Sequence, residues 1–202
     1  MGMSAEPVPD LDPVPDWVIP PPGGFTVDAF LQLRNLPRHT ELIDGSLIFV
    51  SPQVKWHRKV IDHLRRELDL QAPENMRADR EMAVKLGVRQ MPEPDVLVVT
   101  AEALDRGEPD SYYFAEDVIL AVEVVSKDSE ERDRETKPAK YGKAEIQHYW
   151  RVERNGHAPV VYAYELDPAT NCYGLLGIFH DRLKLAVPFP VDIDLNLSPE
   201  RG

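Results

Sequence analysis

The sequence predicts an α/β or α+β fold in which a sheet is flanked by helices, and three observations support this class. Helical and strand-like segments alternate along a chain of 202 residues. Residues 118–126 read V-I-L-A-V-E-V-V-S, which is apolar in both alternating sets of positions and indicates a strand covered on both faces. Residues 53–70 carry apolar side chains at helical spacing, which is typical of a helix packed on such a sheet.

The N-terminal elements are predicted from turn and capping residues. Residues 1–24 contain seven prolines and end in P-P-P-G-G, so we expect a disordered or extended arm before a single domain over residues 25–202. Thr26 can cap a short helix. Residues 41–50, E-L-I-D-G-S-L-I-F-V, predict two short strands around an Asp-Gly turn, and the amphipathic helix follows.

Three strands and a charged helix are predicted after this helix. The strands are expected at residues 81–88, 95–100 and 118–126. The polar segment 127–143 favours a helix whose regular part begins near Thr136, because Pro138 fits best in a first turn. A hairpin around Asn155 and Gly156 and further C-terminal strands at 172–179 and 183–194 complete the domain.

Composition limits the class of protein. The net charge of −12 and the sequence pI of about 4.9 argue against broad electrostatic binding to nucleic acid. We expect no membrane association, because no apolar stretch approaches the ~20 residues of a spanning helix. Residues 1–24 lack the basic start and apolar stretch of a signal peptide, and the single cysteine, Cys172, fits a reducing compartment. We therefore expect a cytoplasmic protein.

Two carboxylates stand at unusual positions in the predicted strands. Glu123 interrupts an apolar strand, where an unpaired carboxylate costs several kcal/mol, and Asp95 opens the strand 95–100. A hairpin-length connection between these strands would place both acids together, where a cation relieves their repulsion. Oxygen ligands suit Mg²⁺ or Mn²⁺. The alternative is that Asp95 caps a turn and Glu123 pairs with Arg132 or Arg134.

Five stretches occur in an order and spacing that resemble a known family. They are E-L-I-D-G at 41–45, P-D-V-L-V-V at 94–99, A-V-E-V-V-S at 121–126, R-D-R-E-T-K-P-A-K-Y at 132–141 and H-Y-W-R-V at 148–152. Over residues 25–195 the chain resembles the Uma-type family of restriction-endonuclease-like proteins, formerly a domain of unknown function, in the PD-(D/E)XK nuclease superfamily. The resemblance implies a mixed central sheet of the restriction-endonuclease type.

The resemblance also implies an activity and a set of ligands. It implies a metal-dependent endonuclease that hydrolyses phosphodiester bonds of nucleic acid, with DNA as the expected substrate. Asp95 and Glu123 would bind Mg²⁺ or Mn²⁺, with the backbone carbonyl of Val124 as a third ligand. Glu41 matches an acid from an N-terminal element that binds metal through water or helps to hold a second ion. A homodimer is also expected, because domains of this kind often pair.

One position departs from the superfamily pattern, which has a lysine two residues after the acid. Here that residue is Val125, which cannot stabilise charge on a phosphate. In the family the lysine is moved onto the following helix, where Lys137 matches, with Lys127 and Lys140 as its competitors or as substrate contacts. His57 matches a frequent family histidine that contacts substrate or acts as a base. The ordinary alternative for these lysines and for His57 is a solvated surface position.

Two other functions are compatible with the sequence. The two acids could form the acid/base pair of a glycoside hydrolase, which requires a cleft lined with aromatic side chains. Tyr149 and Trp150 instead occupy core-like strand positions. The fold could also serve as a catalytically weak or inactive module for binding or oligomerisation, which the acidic net charge and Val125 favour.

Overall fold

The structure, a computed structural model, describes residues 15–50 and 53–197. Residues 1–14 of the predicted arm lie outside the described residues, so the domain boundary at residue 24 stays a prediction. In the rest of that segment, Asp16–Val18 form a 3₁₀ turn, and Arg89 donates a hydrogen bond to the carbonyl of Gly23. Across the two described ranges, no helix combines the length and apolar character needed to cross a membrane.

Helices and strands alternate along the described residues. The helices are α1 (Val27–Gln32), α2 (Lys55–Gln71), α3 (Ala101–Asp105) and α4 (Lys137–Lys143), and a π-helical turn, Arg132–Thr136, leads directly into α4. The strands are β1 (Glu41–Ile43), β2 (Ser46–Ile48), β3 (Met76–Arg80), β4 (Ala83–Lys85), β5 (Val96–Thr100), β6 (Tyr112–Phe114), β7 (Val118–Val124), β8 (His148–Asn155), β9 (Ala158–Asp167), β10 (Cys172–Phe179), β11 (Arg182–Leu185) and β12 (Val191–Asp194).

A mixed six-stranded sheet forms the centre of the fold, in the order β10-β9-β8-β7-β5-β3. β7 and β8 run parallel, and the other neighbours are antiparallel. β11 and β12 form a separate pair that packs beside α2. The prediction of an α/β (α+β) fold with a mixed central sheet, flanking helices and additional C-terminal strands is confirmed.

Each face of the central sheet is buried in its own apolar core. One face packs against α2, whose Leu64 and Leu68 are at most 1% exposed. The opposite face is covered by α4 through Tyr141. Full burial of a large apolar side chain stabilises the fold by about 1.5–3 kcal/mol. A bulge in the pairing of β5 with β7 places Val118 on the α4 side, whereas strict alternation along the strand predicts it beside Leu120.

The β1–β2 hairpin is fixed against the body of the domain and positions Glu41. Its turn residues Asp44 and Gly45 have φ angles of 51° and 78°, as a two-residue turn with two left-handed positions requires. A Cβ on Gly45 would lie 3.0 Å from the Cα of Gly24, so a side chain is excluded there. Leu42 exchanges two backbone hydrogen bonds with Met91, which holds β1 beside the segment that leads into β5.

Part of the predicted element order is wrong. The strand expected at 81–88 is limited to β4, and β3 is not indicated by its sequence because M-R-A-D-R is too polar. β3 forms because its backbone pairs with the edge of β5. The connection between β5 and β7 contains α3 and β6 rather than a hairpin turn, yet these two strands pair directly and antiparallel.

Candidate active site

Glu123 lies near the end of β7 on the face covered by α4, and it is 1% exposed. The hydroxyl of Tyr141 donates a hydrogen bond to its Oε1 at 2.5 Å, and the ammonium of Lys137 donates to its Oε2 at 2.9 Å. Both carboxylate oxygens therefore have partners in a place where an unpaired charge is costly. Arg134, one of the alternative partners considered from the sequence, instead pairs with Glu153.

The ammonium of Lys137 lies between several acidic side chains. Besides Glu123, its Nζ lies 2.8 Å from Oε1 of Glu41 and 3.6 Å from Oδ1 of Asp133. The side chain of Lys137 is only 6% exposed. We name these four residues the Lys137 cluster. Lys137 thus reaches Glu123 from the neighbouring helix, which Val125 cannot do from the strand.

The pKa values in the Lys137 cluster depend on burial and on neighbouring charge. Burial alone lowers the pKa of Lys137, but the facing carboxylates, that of Glu123 foremost, raise it well above its usual value. Burial raises the pKa of Glu123, Lys137 lowers it, and the nearby carboxylates of Asp133, Asp95 and Glu41 contribute to a net increase. More acids are present than one ammonium can neutralise, so the cluster favours a bound proton or an additional cation.

Asp95 and His57 lie together at the end of β7. Asp95 directly precedes β5, and its Oδ2 accepts a hydrogen bond from the backbone N–H of Val124 at 2.6 Å. His57 is in the first turn of α2 and is 7% exposed, so it is not a helix-surface histidine. Its Nε2 donates to the carbonyl of Val124 at 2.7 Å and lies 3.4 Å from Oδ2 of Asp95. Burial lowers the pKa of His57, but Asp95 and this carbonyl raise it overall.

Asp133 is a member of the cluster that the sequence prediction missed. It lies in the π-helical turn, is 1% exposed, and is held by hydrogen bonds from its N–H to the carbonyl of Ser129 and from the hydroxyl of Tyr149 to its own carbonyl. Its buried Oδ1 has no hydrogen-bond partner among the described residues. Burial raises its pKa, and Lys137 lowers it in part. The spacing of four residues between Asp133 and Lys137 was the available sequence signal.

A cavity of about 50 Å³ opens onto these side chains. Six acidic residues line it, together with one lysine, Lys137, and one arginine, Arg132. The acids are Glu41, Glu81, Glu93, Asp95, Glu123 and Asp133. Two of them have partners at the outer part of the cavity: Glu93 lies 2.5 Å from Nδ1 of His39, and Glu81 accepts a hydrogen bond from Gln53. Acidic side chains therefore outnumber basic ones around the cavity.

The structure does not bring the other predicted lysines to Glu123. Lys127 follows the end of β7 in an exposed turn, because the strand stops at Val124. Lys140 is one turn beyond Lys137, and its ammonium lies 2.5 Å from Oδ1 of Asp44 at the β1–β2 turn. The two lysines lie outside the cavity that contains Glu123.

The donor atoms at the site fit a hard divalent cation by their chemistry. Asp95, Glu123 and the Val124 carbonyl supply oxygen, which Mg²⁺ and Mn²⁺ prefer, and Oδ1 of Asp133 is buried without a hydrogen bond. In the described part of the chain, however, no three or more His, Cys, Asp or Glu side chains are already grouped as a metal site. The acids are arranged around the ammonium of Lys137 instead.

Fold and site together define a class, the nuclease-like proteins in which strands of a mixed sheet present acids to a lysine. The chain belongs to the Uma2 family, described as "Putative restriction endonuclease", whose model matches residues 27–198. The fold is similar to that of an Anabaena variabilis protein described as "a putative nuclease belonging to DUF820", with a TM-score of 0.63 and 19% identity over 81% of this chain and 89% of that chain. No curated protein matches this chain.

Proposed function

We propose that this protein is a divalent-metal-dependent endonuclease that hydrolyses phosphodiester bonds of nucleic acid, with DNA as substrate and Mg²⁺ or Mn²⁺ as cofactor. The observation that carries the proposal is the position of Lys137, whose Nζ lies 2.9 Å from Glu123 and faces the cavity that Asp95 also lines. Family membership and the nuclease-like fold support it.

Three oxygen donors at the end of β7 are proposed to hold the cation: the carboxylates of Asp95 and Glu123 and the carbonyl of Val124. The chemistry that a bound divalent cation supplies is polarisation of the scissile phosphate and a lowered pKa of a bound water. The backbone N–H of Val124 orients the carboxylate of Asp95. The imidazole of His57 donates a hydrogen bond to the carbonyl of the same residue, Val124.

Lys137 is proposed to offset the negative charge that develops on the phosphate, or to orient the attacking water. Its pKa, raised by the surrounding acids, keeps the ammonium charged. Glu41 positions this ammonium, because its Oε1 also accepts a hydrogen bond from the N–H of Glu93 at 2.8 Å and is thereby fixed.

Cleavage of plasmid and oligonucleotide DNA in Mg²⁺ or Mn²⁺ tests the proposal. We expect the wild type to cleave, and Glu123→Gln and Lys137→Met to lose at least about a hundredfold in rate, the range for removing a charge-stabilising group. Glu135→Gln and Lys143→Met are matched controls, because both residues lie outside the cavity. Circular dichroism verifies that the variants fold. Cleavage retained in folded Glu123→Gln would reject the proposed metal site.

The second candidate is a binding or oligomerisation module with a weak or inactive site. It is favoured by Val125 and by the arrangement of the acids around Lys137 rather than as a ready metal site. Calorimetry distinguishes the two: Mn²⁺ binding that disappears in Asp95→Asn supports the nuclease, and absence of any binding supports the module.

A homodimer is part of the proposal. The outer strand β10 carries no charged residue and exposes Leu175, Leu176 and Ile178 by 42–53%, which suits pairing with a second copy. Analytical ultracentrifugation of wild type and Leu175→Lys tests this state, and a wild-type monomer would reject it.

A further inference from the structure

A larger cavity opens beside the candidate active site. It has a volume of about 580 Å³, within the ~300–1,000 Å³ of pockets that hold small organic groups. We name it the Trp56 groove, and its main wall residues are Val50, Val54, Trp56, Lys127, Asp128 and Arg154. Val50, Gln53, His57 and Ser126 line both this groove and the cavity of Glu123, so the two spaces are adjacent.

One wall of the groove is formed by the two planar groups of Trp56 and Arg154, which we name the Trp56–Arg154 platform. The guanidinium of Arg154 lies over the ring of Trp56, 5.4 Å from its centroid, and its Nε donates a hydrogen bond to the carbonyl of Gly156 at 2.8 Å. The indole N–H of Trp56 donates to the carbonyl of His157 at 3.0 Å. The β8–β9 turn therefore fixes both planar groups, and Val54, which is 60% exposed, extends the apolar surface.

The charge of the groove is opposite to that of the protein as a whole. The chain has a net charge of −12, yet the groove contains Lys127 and Arg154 against a single acid, Asp128. Neither cation forms an ion pair with any other residue that the structure describes. An apolar planar surface with two available cations suits a ligand that combines a planar ring with a phosphate.

We propose that the Trp56 groove binds an unpaired nucleotide adjacent to the scissile phosphate, its base stacked on the Trp56–Arg154 platform and its phosphate at Lys127. The inference rests on the proposed function, which gives nucleic acid as the substrate class. It adds that the substrate strand is single-stranded or locally unpaired where it crosses the groove. In a duplex both faces of a base are already stacked, whereas an unpaired base offers its face to an aromatic or guanidinium plane.

Fluorescence anisotropy of a fluorescein-labelled oligothymidylate in EDTA tests the groove without cleavage. We expect wild type to bind this single strand more tightly than the same strand paired with oligodeoxyadenylate. Arg154→Gln and Lys127→Gln, both surface changes, should weaken binding by roughly fivefold or more each, as loss of a stacking or phosphate contact does. Lys184→Gln, at a 79% exposed lysine outside the groove, is the matched control and should change binding less than twofold.

The outcomes separate this inference from the proposed nuclease activity. Three results would overturn the proposal that the groove binds an unpaired nucleotide. They are binding that is unchanged in both groove variants, equal binding of single strand and duplex, and no binding at all. Binding that depends on Lys127 and Arg154 supports the groove even if Mg²⁺ and Mn²⁺ produce no cleavage, a result that would reject only the catalytic proposal.

Discussion

Lys137 contacts Glu41 at 2.8 Å and Glu123 at 2.9 Å in a space with almost no solvent. Truncating one member of such a buried ion pair destabilises a protein by about 3–5 kcal/mol, because the other charge is left uncompensated. Loss of activity in a Lys137 variant therefore needs a fold control. The neutral side chain of Tyr141 offers a gentler change at the same carboxylate.

Tyr141→Phe removes the hydroxyl that donates to Oε1 of Glu123 and keeps the ring in the α4 core. An unsatisfied buried carboxylate oxygen costs about 1–3 kcal/mol, so we expect the free energy of unfolding to fall by that amount. Urea unfolding measures it. Tyr164→Phe is the control, because no hydrogen bond of the Tyr164 hydroxyl is present among the described residues, and equal effects of both changes would contradict the role of Tyr141.

Asp133→Asn should stabilise the protein at neutral pH. Burial raises the pKa of Asp133 above 3.8, so between that value and its folded pKa the native state holds a proton that the unfolded chain has released. The native state therefore loses stability as pH rises through this interval, because Asp133 must ionise in a buried position. The side chain of asparagine does not ionise, so Asp133→Asn avoids this loss. Urea unfolding at several pH values should give a gain at neutral pH that disappears below 3.8. A loss of stability at neutral pH would show that the charge of Asp133 is needed beside Lys137.

At the scale of the elements, the π-helical turn and α4 form one functional unit. Asp133, Lys137 and Tyr141 recur every four residues along it. Lys137 and Tyr141 donate to the carboxylate of Glu123, and Asp133 lies beside the ammonium of Lys137. The position of α4 relative to the sheet therefore sets the geometry of the cluster. Gly142 determines how closely α4 approaches the β9–β10 end of the sheet.

Gly142→Ala should move α4 away from the sheet. A Cβ at this position would lie 2.7 Å from the carbonyl oxygen of Asn171 and 3.2 Å from a methyl of Leu166. Alanine gains about 1 kcal/mol in helix propensity, but a backbone clash of this kind costs about 1–3 kcal/mol, so we expect net destabilisation by urea unfolding together with reduced cleavage. Gly87→Ala meets nothing within 4 Å and is the control. A Gly142→Ala protein as stable as wild type would contradict this spacing.

The elements differ in how far the sequence determines them. β5 and β7 are predictable because their apolar β-branched runs leave Asp95 and Glu123 as evident exceptions. β3 is not predictable from its polar sequence, because it forms by pairing with the edge of β5. Likewise, residues 127–143 read as a solvated helix, and the burial of Asp133 becomes visible only when α4 is packed on the sheet.

For the whole molecule, the distribution of charge is more informative than its total. The net charge of −12 argues against a broad basic surface, but it gives no indication of the two cations of the Trp56 groove. Composition gives one total charge for the whole chain, whereas folding places acidic and basic side chains on different surfaces. Lys127 lies in the turn that follows β7, and Arg154 lies in β8. Their local sequences do not indicate that the two side chains line one groove.

This charge distribution predicts a weak dependence of DNA binding on salt. Each phosphate neutralised on a single strand contributes about −0.7 to the slope of log affinity against log salt concentration, so the single phosphate placed at Lys127 gives a slope of about −0.7. General repulsion by the acidic surface is screened by the same salt and makes the slope shallower still. Anisotropy titrations over a series of NaCl concentrations should give a slope between zero and about −0.7 for wild type, and Lys127→Gln should bring the slope to about zero. A slope several times steeper, or one unchanged by Lys127→Gln, would place the nucleic acid on a different surface.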